Sequence, residues 1–162
     1  MRLPIYQVDA FTENVFGGNP AAVIPLDDWI DAELMQKIAL ENNLSETAFI
    51  VKTDEGYHIR WFTPGYEIDL CGHATLASAY IIKNFLEPHI QEIHFTTEKA
   101  GSLKTRVKEG VYTLDFPSRM PVATEVPEGL MEALGVTAAV EVLRSRDYFV
   151  VLPNEEAVRN VE

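Results

Sequence analysis

The sequence predicts an α+β fold in which a mostly antiparallel, barrel-like sheet is wrapped around one central, buried helix. Residues 69–82 (DLCGHATLASAYII) contain no charged side chain after Asp69 and are apolar on nearly every face. A surface helix would show one apolar stripe and one polar face, so this segment is expected in the interior. Most other predicted elements are strands that follow one another without an intervening helix, which favours antiparallel pairing.

Four strands and one amphipathic helix are predicted before the central helix. The strands are residues 3–10, 21–26, 47–52 and 57–63. In the last of these, large apolar side chains occupy alternate positions, which is typical of a strand with one buried face. The helix spans residues 31–42, and the spacing of Leu34, Ile38 and Ala39 predicts that they form its buried stripe.

The chain after the central helix is predicted to form a hairpin and then to cross a domain boundary. The central helix should fray at residues 84–87, because Pro88 follows. Three strands come next, then a region with three prolines, then short helices and strands. The strands are residues 91–97, 101–108 and 111–116; the later elements are a helix at 128–134, strands at 139–144 and 148–152, and a helix from Asn154. The prolines at 117–127 indicate a linker. The sequence thus predicts one domain at residues 1–118, and a linker with the start of an incomplete second domain at 119–162.

Composition restricts the classes of function. The net charge of −12 argues against a nucleic acid or an anionic membrane as a partner, because both require a basic patch. One cysteine cannot form an internal disulfide, and the first residues contain no apolar run of signal-peptide length, so the cytoplasm is the expected compartment. No zinc spacing, Walker loop or GxGxxG motif occurs, so neither a metal nor a nucleotide cofactor is indicated.

The beginning of the central helix is the first candidate site. There the free backbone N–H groups of Gly72 and His73 and the positive end of the helix dipole favour an anion, such as a carboxylate. A histidine in the first turn is expected to be neutral and can pass a proton in either direction. The alternative is that Gly72 is only a turn and His73 only a cap.

Three further side chains are candidates, each with a structural alternative. Glu46 precedes an apolar strand, where it would be a better general base near neutral pH; the alternative is a solvated glutamate. Cys71 at the helix start can be an activated thiol, although a buried apolar role is commoner for a lone cysteine. Asn19, which follows Gly17 and Gly18, can bind a substrate amide or carboxylate; the alternative is that its side chain only hydrogen-bonds to the backbone of its own loop.

Five motifs in order closely resemble the phenazine-biosynthesis PhzF-like isomerase family, which is related in fold to diaminopimelate epimerase. They cover about the first 116 residues with specific matches and the remainder more loosely. The motifs are Val8–Phe11, Gly17–Val23, Asn43–Phe49, Arg60–Pro64 and Asp69–Thr75. The resemblance implies two similar domains, each a barrel-like sheet around a central helix, with the active site between them.

The resemblance also implies roles for particular residues. Glu46 would be the acid/base that moves a proton between carbon atoms of a small carboxylic acid, without metal or organic cofactor. Gly72 and His73 would help to bind the substrate, and Asn19 would contact it. In the epimerase relatives the residue at the Cys71 position is a catalytic thiol, so a thiol-dependent epimerase or racemase is the alternative enzyme.

A full-length member of the family has a second domain, and this sequence contains only its start. We therefore expect a homo-oligomer, such as a dimer, or a companion chain that supplies the second domain. The chain can also be a non-catalytic half whose exposed sheet edge binds a partner.

Overall fold

The computed structural model describes residues 2–161, which divide into two compact units between Pro117 and Ser118. The described part of the first unit contains eight strands and two α-helices. They are β1 (Tyr6–Ala10), β2 (Asn19–Leu26), α1 (Ala32–Asn42), β3 (Glu46–Thr53), β4 (Gly56–Phe62), β5 (Glu67–Ile68), α2 (Gly72–Ile81), β6 (Glu92–Thr96), β7 (Ser102–Lys108) and β8 (Val111–Asp115).

The strands form one mixed sheet in the order β1-β2-β3-β4-β6-β7-β8, with the short β5 also paired to β4. The pairs β2–β3 and β4–β6 are parallel, and the other pairs in this sheet are antiparallel. The chain crosses between the strands of each parallel pair through a helix, α1 in the first case and α2 in the second. Parallel neighbours require such a crossover, whereas antiparallel neighbours can be joined by a tight turn.

Helix α2 lies at the centre of the unit, as the sequence predicts. It contacts β1, β2 and β3, and it also contacts β8 at the opposite end of the sheet. Because both edge strands touch the same helix, the sheet is strongly curled around it, which confirms the predicted fold class. The hydroxyls of Thr75 and Ser78 are buried in this helix and donate to the carbonyl oxygens of Cys71 and Ala74, so their polar atoms are satisfied.

Two hydrophobic clusters hold the unit together. The inner cluster surrounds α2 and includes Ile81, Trp61 and Phe95, while the outer cluster packs α1 against the other face of the sheet. Strands β2 and β3 contribute to both clusters. This explains why their sequences are nearly continuous apolar runs rather than alternating ones.

The predicted buried stripe of α1 is wrong in one position. Leu34 is 38% exposed, whereas its neighbour Met35 is completely buried together with Ala39. Asp31 caps the helix by accepting from the amides of Glu33 and Leu34. Apolar side chains follow one another at positions 34 and 35, so periodicity alone does not fix the rotation of the helix about its axis, and packing on β3 selects the face with Met35.

The end of α2 also differs from the prediction. Instead of fraying at residues 84–87, the chain continues as a π-helical turn over Ile82–Leu86, and the amide of Glu87 donates to the carbonyl of Ile82 over 2.7 Å. Asn84 donates to the carbonyl of Tyr80 and to the hydroxyl of Tyr112 on β8. These bonds fix the segment to the sheet edge, which local sequence signals do not show.

The described part of the second unit contains three strands, β9 (Val122–Ala123), β10 (Glu141–Arg144) and β11 (Tyr148–Val151), and two short helices, α3 (Leu130–Ala133) and α4 (Glu155–Arg159). The strands form a small antiparallel sheet in the order β11-β10-β9. Among residues 2–161, no helix combines the length and the apolar character that crossing a membrane would need.

Candidate active site

Two elements of the first unit bring Glu46, Cys71 and His73 together. Glu46 is the first residue of β3, and the parallel pairing of β2 with β3 places it opposite Ala21. Cys71 is the N-cap of α2, and His73 lies in the first turn of that helix. The start of the buried helix therefore lies against the starts of two central strands.

The three side chains are in close contact. Oε2 of Glu46 lies 3.1 Å from Nε2 of His73, and Sγ of Cys71 lies 3.4 Å from Nδ1 of the same ring. Donor atoms of all three residues lie within 4.8 Å of one another. The side chains of His73 and Glu46 are only 9% and 16% exposed. The structure thus forms a small, mostly dry polar cluster at the N-terminus of α2.

Two atoms of this cluster lack a hydrogen bond. Oε2 of Glu46 and Nε2 of His73 are buried and have no hydrogen-bond partner among the described residues. The two atoms are 3.1 Å apart, which is close enough for a hydrogen bond, but they are not aligned well enough to form one. Buried polar groups are nearly always satisfied, so both atoms are available to a third group placed between or beside them.

Burial disfavours the charged form of the His73 imidazole. Burial lowers the pKa of His73, and the nearby Glu46 carboxylate and the Pro20 carbonyl oppose this shift without overcoming it. A neutral imidazole carries one N–H donor and one acceptor nitrogen, and can bind a carboxylic acid or transfer a proton.

The thiol of Cys71 is protonated in the folded chain. Burial raises the pKa of Cys71 to about 12; the amides of Ala74 and His73 act against this, and the Glu46 carboxylate adds to it. A helix N-terminus alone would lower the pKa of a thiol. Here desolvation dominates, so Cys71 is poorly suited to act as a thiolate base.

The glycine-rich loop holds Asn19 at the start of β2. Gly18 has a φ of +67°, and a Cβ at this position would collide with the carbonyl oxygen of Ala10. Only glycine fits such a position without strain. The side chain of Asn19 is held by Ser45, whose hydroxyl donates to Oδ1 over 2.9 Å. The sequence does not predict this role of Ser45 toward Asn19, although its position directly before Glu46 is a usable signal.

The backbone conformation at Gly72, in the first turn of α2, does not require a glycine. Its φ is not positive, and a Cβ would lie 3.5 Å from the ring of Phe116, an ordinary van der Waals distance. The structure therefore accepts a small side chain here. The expected contribution of Gly72 to substrate binding rests on its amide in the first turn and stays a prediction.

Comparison with known proteins identifies the family that this chain matches. A family model described as "Phenazine biosynthesis-like protein" (PhzC-PhzF) matches residues 8–161. An uncharacterized isomerase of Pseudomonas aeruginosa is 49% identical over 158 residues, which are 98% of this chain and 60% of that protein.

Solved structures agree with this match. A phenazine biosynthesis protein of the PhzF family from Enterococcus faecalis superposes with a TM-score of 0.89 at 48% identity, over 100% of this chain and 62% of that one. A predicted epimerase of P. aeruginosa gives a TM-score of 0.74 at 22% identity, over 100% and 63%, and shows the fold alone. The chain therefore spans about 60% of the length of these relatives.

Proposed function

The chain belongs to the phenazine biosynthesis-like PhzC-PhzF family, and on this basis we propose that it carries the acid/base half of a cofactor-independent isomerase. The reaction is a proton shift between carbon atoms of a small carboxylic acid. Relatives at 44% to 49% identity are named isomerases, which supports the reaction class. The residue that transfers the proton is Glu46.

The observation that carries this proposal is the unpaired carboxylate oxygen of Glu46. This oxygen is buried, lies 3.1 Å from the His73 ring and has no hydrogen-bond partner among the described residues. A base that removes a proton from carbon needs a free oxygen in a site that excludes water. A structural glutamate at the same place would be expected to bond with a neighbouring amide or cation.

The start of α2 can stabilise the charge that the reaction creates. Removing a proton from carbon next to a carboxylate develops negative charge on the substrate. The amides of Gly72 and His73 lie in the first turn of α2, where the helix dipole favours an anion. The neutral His73 ring can donate to the acid group, and Asn19 offers its amide at the edge of the site.

The opposite wall of the cleft comes, in this proposal, from further polypeptide. The chain spans about 60% of the length of its relatives, so a second copy or a companion chain with the second domain would complete the site. The substrate and the isomerase activity are thus properties proposed for that complete assembly.

Deuterium exchange in heavy water tests the proposal. The chain is incubated with a panel of small carboxylic acids, alone and together with the remaining 40% of a relative as a separate polypeptide, and deuterium in each acid is measured by NMR. We expect uptake at one carbon, lost in Glu46→Gln and kept in Cys71→Ala. Uptake that requires Cys71 but not Glu46 would instead support the thiol-dependent epimerase.

A second candidate function is that of a half-domain that binds a partner chain. A groove of about 840 Å³ lies between β1 and β8, with Ala77, Tyr80 and Ile81 of α2 in its floor. Among the described residues β1 and β8 are the two ends of the sheet, so each has a free edge that can accept another strand. Light scattering with and without the companion polypeptide tests this. A chain that stays monomeric and inert in both conditions would contradict both candidate functions.

A further inference from the structure

We propose that Glu46, Cys71 and His73 also form a binding site for one Zn²⁺ ion, and that bound zinc blocks the site. The three side chains supply a carboxylate oxygen, a sulfur and a ring nitrogen, and these donor atoms lie within 4.8 Å of one another. Among the described residues, this is the one group of three or more such side chains that is close enough to hold an ion.

The donor set fits zinc better than magnesium or calcium. Zn²⁺ is bound in proteins by cysteine sulfur, histidine nitrogen and carboxylate oxygen, whereas Mg²⁺ and Ca²⁺ take oxygen ligands. With bonds of about 2.0–2.3 Å, tetrahedral zinc holds its ligand atoms roughly 3.3–3.8 Å apart. Only one ring nitrogen of His73 can bind the ion: Oε2 of Glu46 lies 3.1 Å from Nε2, whereas Sγ of Cys71 lies 3.4 Å from Nδ1, the other ring nitrogen. One of these two side chains therefore has to move toward the nitrogen that holds the ion, starting from donor atoms within 4.8 Å of one another.

The burial of the cluster is the second observation that points to a ligand. The His73 side chain is 91% buried, and its Nε2 and the Oε2 of Glu46 both lack hydrogen-bond partners in the described part of the chain. When zinc binds, the S–H bond of Cys71 breaks, its proton passes to solvent, and the sulfur bonds to the metal. Three protein ligands leave a fourth position for water, as in zinc sites that exchange ligands.

The spacing of the ligands explains why the sequence does not indicate this site. Cys71 and His73 are close in sequence, but Glu46 lies 25 residues before Cys71 and reaches the cluster only through the placement of β3 beside α2. Zinc motifs are recognised from local pairs on both sides of the site. Here the third ligand, Glu46, is brought to the site only by the tertiary structure.

Zinc and proton transfer would exclude each other. This part of the inference rests on the proposed function, because it requires Glu46 to be the acid/base. A metal bound to the Glu46 oxygen and the His73 nitrogen occupies the two unpaired atoms that a substrate would use. Zinc should therefore inhibit the isomerase rather than activate it.

The test measures metal binding directly on the 162-residue chain, without an activity assay. Equilibrium dialysis with Zn²⁺ gives the stoichiometry, and Co²⁺ replaces zinc as a spectroscopic probe. We expect one tightly bound ion per chain and a thiolate-to-Co²⁺ charge-transfer band in the near ultraviolet. Loss of a ligand should weaken zinc binding by more than about 100-fold, since even outer-shell partners contribute about 10- to 100-fold.

Variants separate the site from surface binding. Cys71→Ser and His73→Gln should lose the band and the tight ion, with folding checked by circular dichroism. His94→Gln is the matched control, because His94 also contacts a carboxylate, that of Glu92, but is exposed and has no thiol nearby. This control should bind zinc as the unmodified chain does.

The outcomes are distinguishable. Absence of a thiolate band in the unmodified chain, or tight binding that survives Cys71→Ser and His73→Gln, would overturn the zinc site without affecting the proposed isomerase. Zinc binding with the expected variant pattern would support the site even if no carboxylic acid exchanges deuterium. If exchange is found, zinc at saturating concentration should abolish it, and exchange that persists would refute the inhibitory role.

Discussion

The hydroxyl of Ser45 donates a 2.9 Å hydrogen bond to Oδ1 of Asn19. This bond joins the first residue of β2 to the residue directly before β3, at the end of the sheet where Glu46 lies. With Oδ1 held by Ser45, the amide NH₂ of Asn19 is left to donate elsewhere. Ser45 is therefore a positioning residue, because it orients a group that is proposed to contact the substrate.

Replacing Ser45 by alanine should lower kcat/KM for deuterium exchange without unfolding the chain. A hydrogen bond of this kind contributes about 0.5–1.5 kcal/mol, which corresponds to roughly a 2- to 13-fold loss. Ser102→Ala, at the exposed start of β7, is the matched control and should leave kcat/KM unchanged. An unaffected Ser45→Ala variant would show that the orientation of Asn19 does not matter to the reaction.

Replacing Glu46 by glutamine should abolish measurable exchange, because the amide keeps the shape of the side chain but cannot accept the proton. General acid/base residues contribute about 10²- to 10⁴-fold, and the loss should fall in this range. Deuterium uptake is measured by NMR against Glu41→Gln, which removes a carboxylate from an exposed position of α1. If both variants exchange at the same rate, Glu46 is not the base.

The sequence predicts those parts of the molecule that depend on local pattern. The charge-free run before Lys83 identifies α2, and the alternation of Tyr57, Ile59 and Trp61 identifies β4 with its buried face. The sequence does not predict that Met35, rather than Leu34, lies on the buried face of α1. Helical periodicity leaves the rotation of a helix about its axis undetermined when adjacent positions are both apolar.

The candidate site depends on contacts between distant segments. From its place before an apolar strand Glu46 is a candidate base, but a solvated glutamate is the commoner outcome for such a residue, and the family resemblance is what favours the acid/base role. The structure places it beside His73 because β3 pairs in parallel with β2 at the start of α2. The pairing of β3 with β2 and the missing hydrogen bond between Glu46 and His73 are properties of the tertiary structure, so no local sequence pattern encodes them. The catalytic roles of these residues stay predictions.

The Cys71 thiol should be almost unreactive in the folded chain. Its pKa is raised from 9.0 to about 12, so at pH 8 the folded chain contains about 1,000-fold less thiolate than an unperturbed thiol of pKa 9.0. Alkylation by iodoacetamide, followed by mass spectrometry, should therefore be fast in urea and very slow without it. The slow rate should rise about tenfold for each unit of pH as long as the chain stays folded. Similar rates in the folded and unfolded chains would contradict the burial of this thiol.

Replacing Gly18 by alanine should destabilise the first unit and weaken the site together. The left-handed φ of +67° costs a residue with a Cβ about 1–2 kcal/mol, and collision with the Ala10 carbonyl adds to this. The free energy of unfolding in urea and the deuterium-exchange rate should both fall, because a displacement of the backbone at residue 18 also displaces Asn19, the next residue. Gly65→Ala is the control: its φ is not positive and its nearest neighbouring atom lies 3.9 Å from the added Cβ. Equal stability of the two variants would show that the loop adopts another path.

A pair of alanine substitutions in α1 tests which face of the helix is buried. Met35 is completely buried against the outer cluster, so Met35→Ala should lower the free energy of unfolding by about 2–5 kcal/mol. Leu34 is 38% exposed, and alanine is at least as good a helix former as leucine, so Leu34→Ala should cost less than about 1 kcal/mol. Both values come from urea denaturation followed by circular dichroism. The opposite order would mean that α1 is rotated by about one residue, 100° in a regular helix, and that the stripe expected from periodicity faces the core after all.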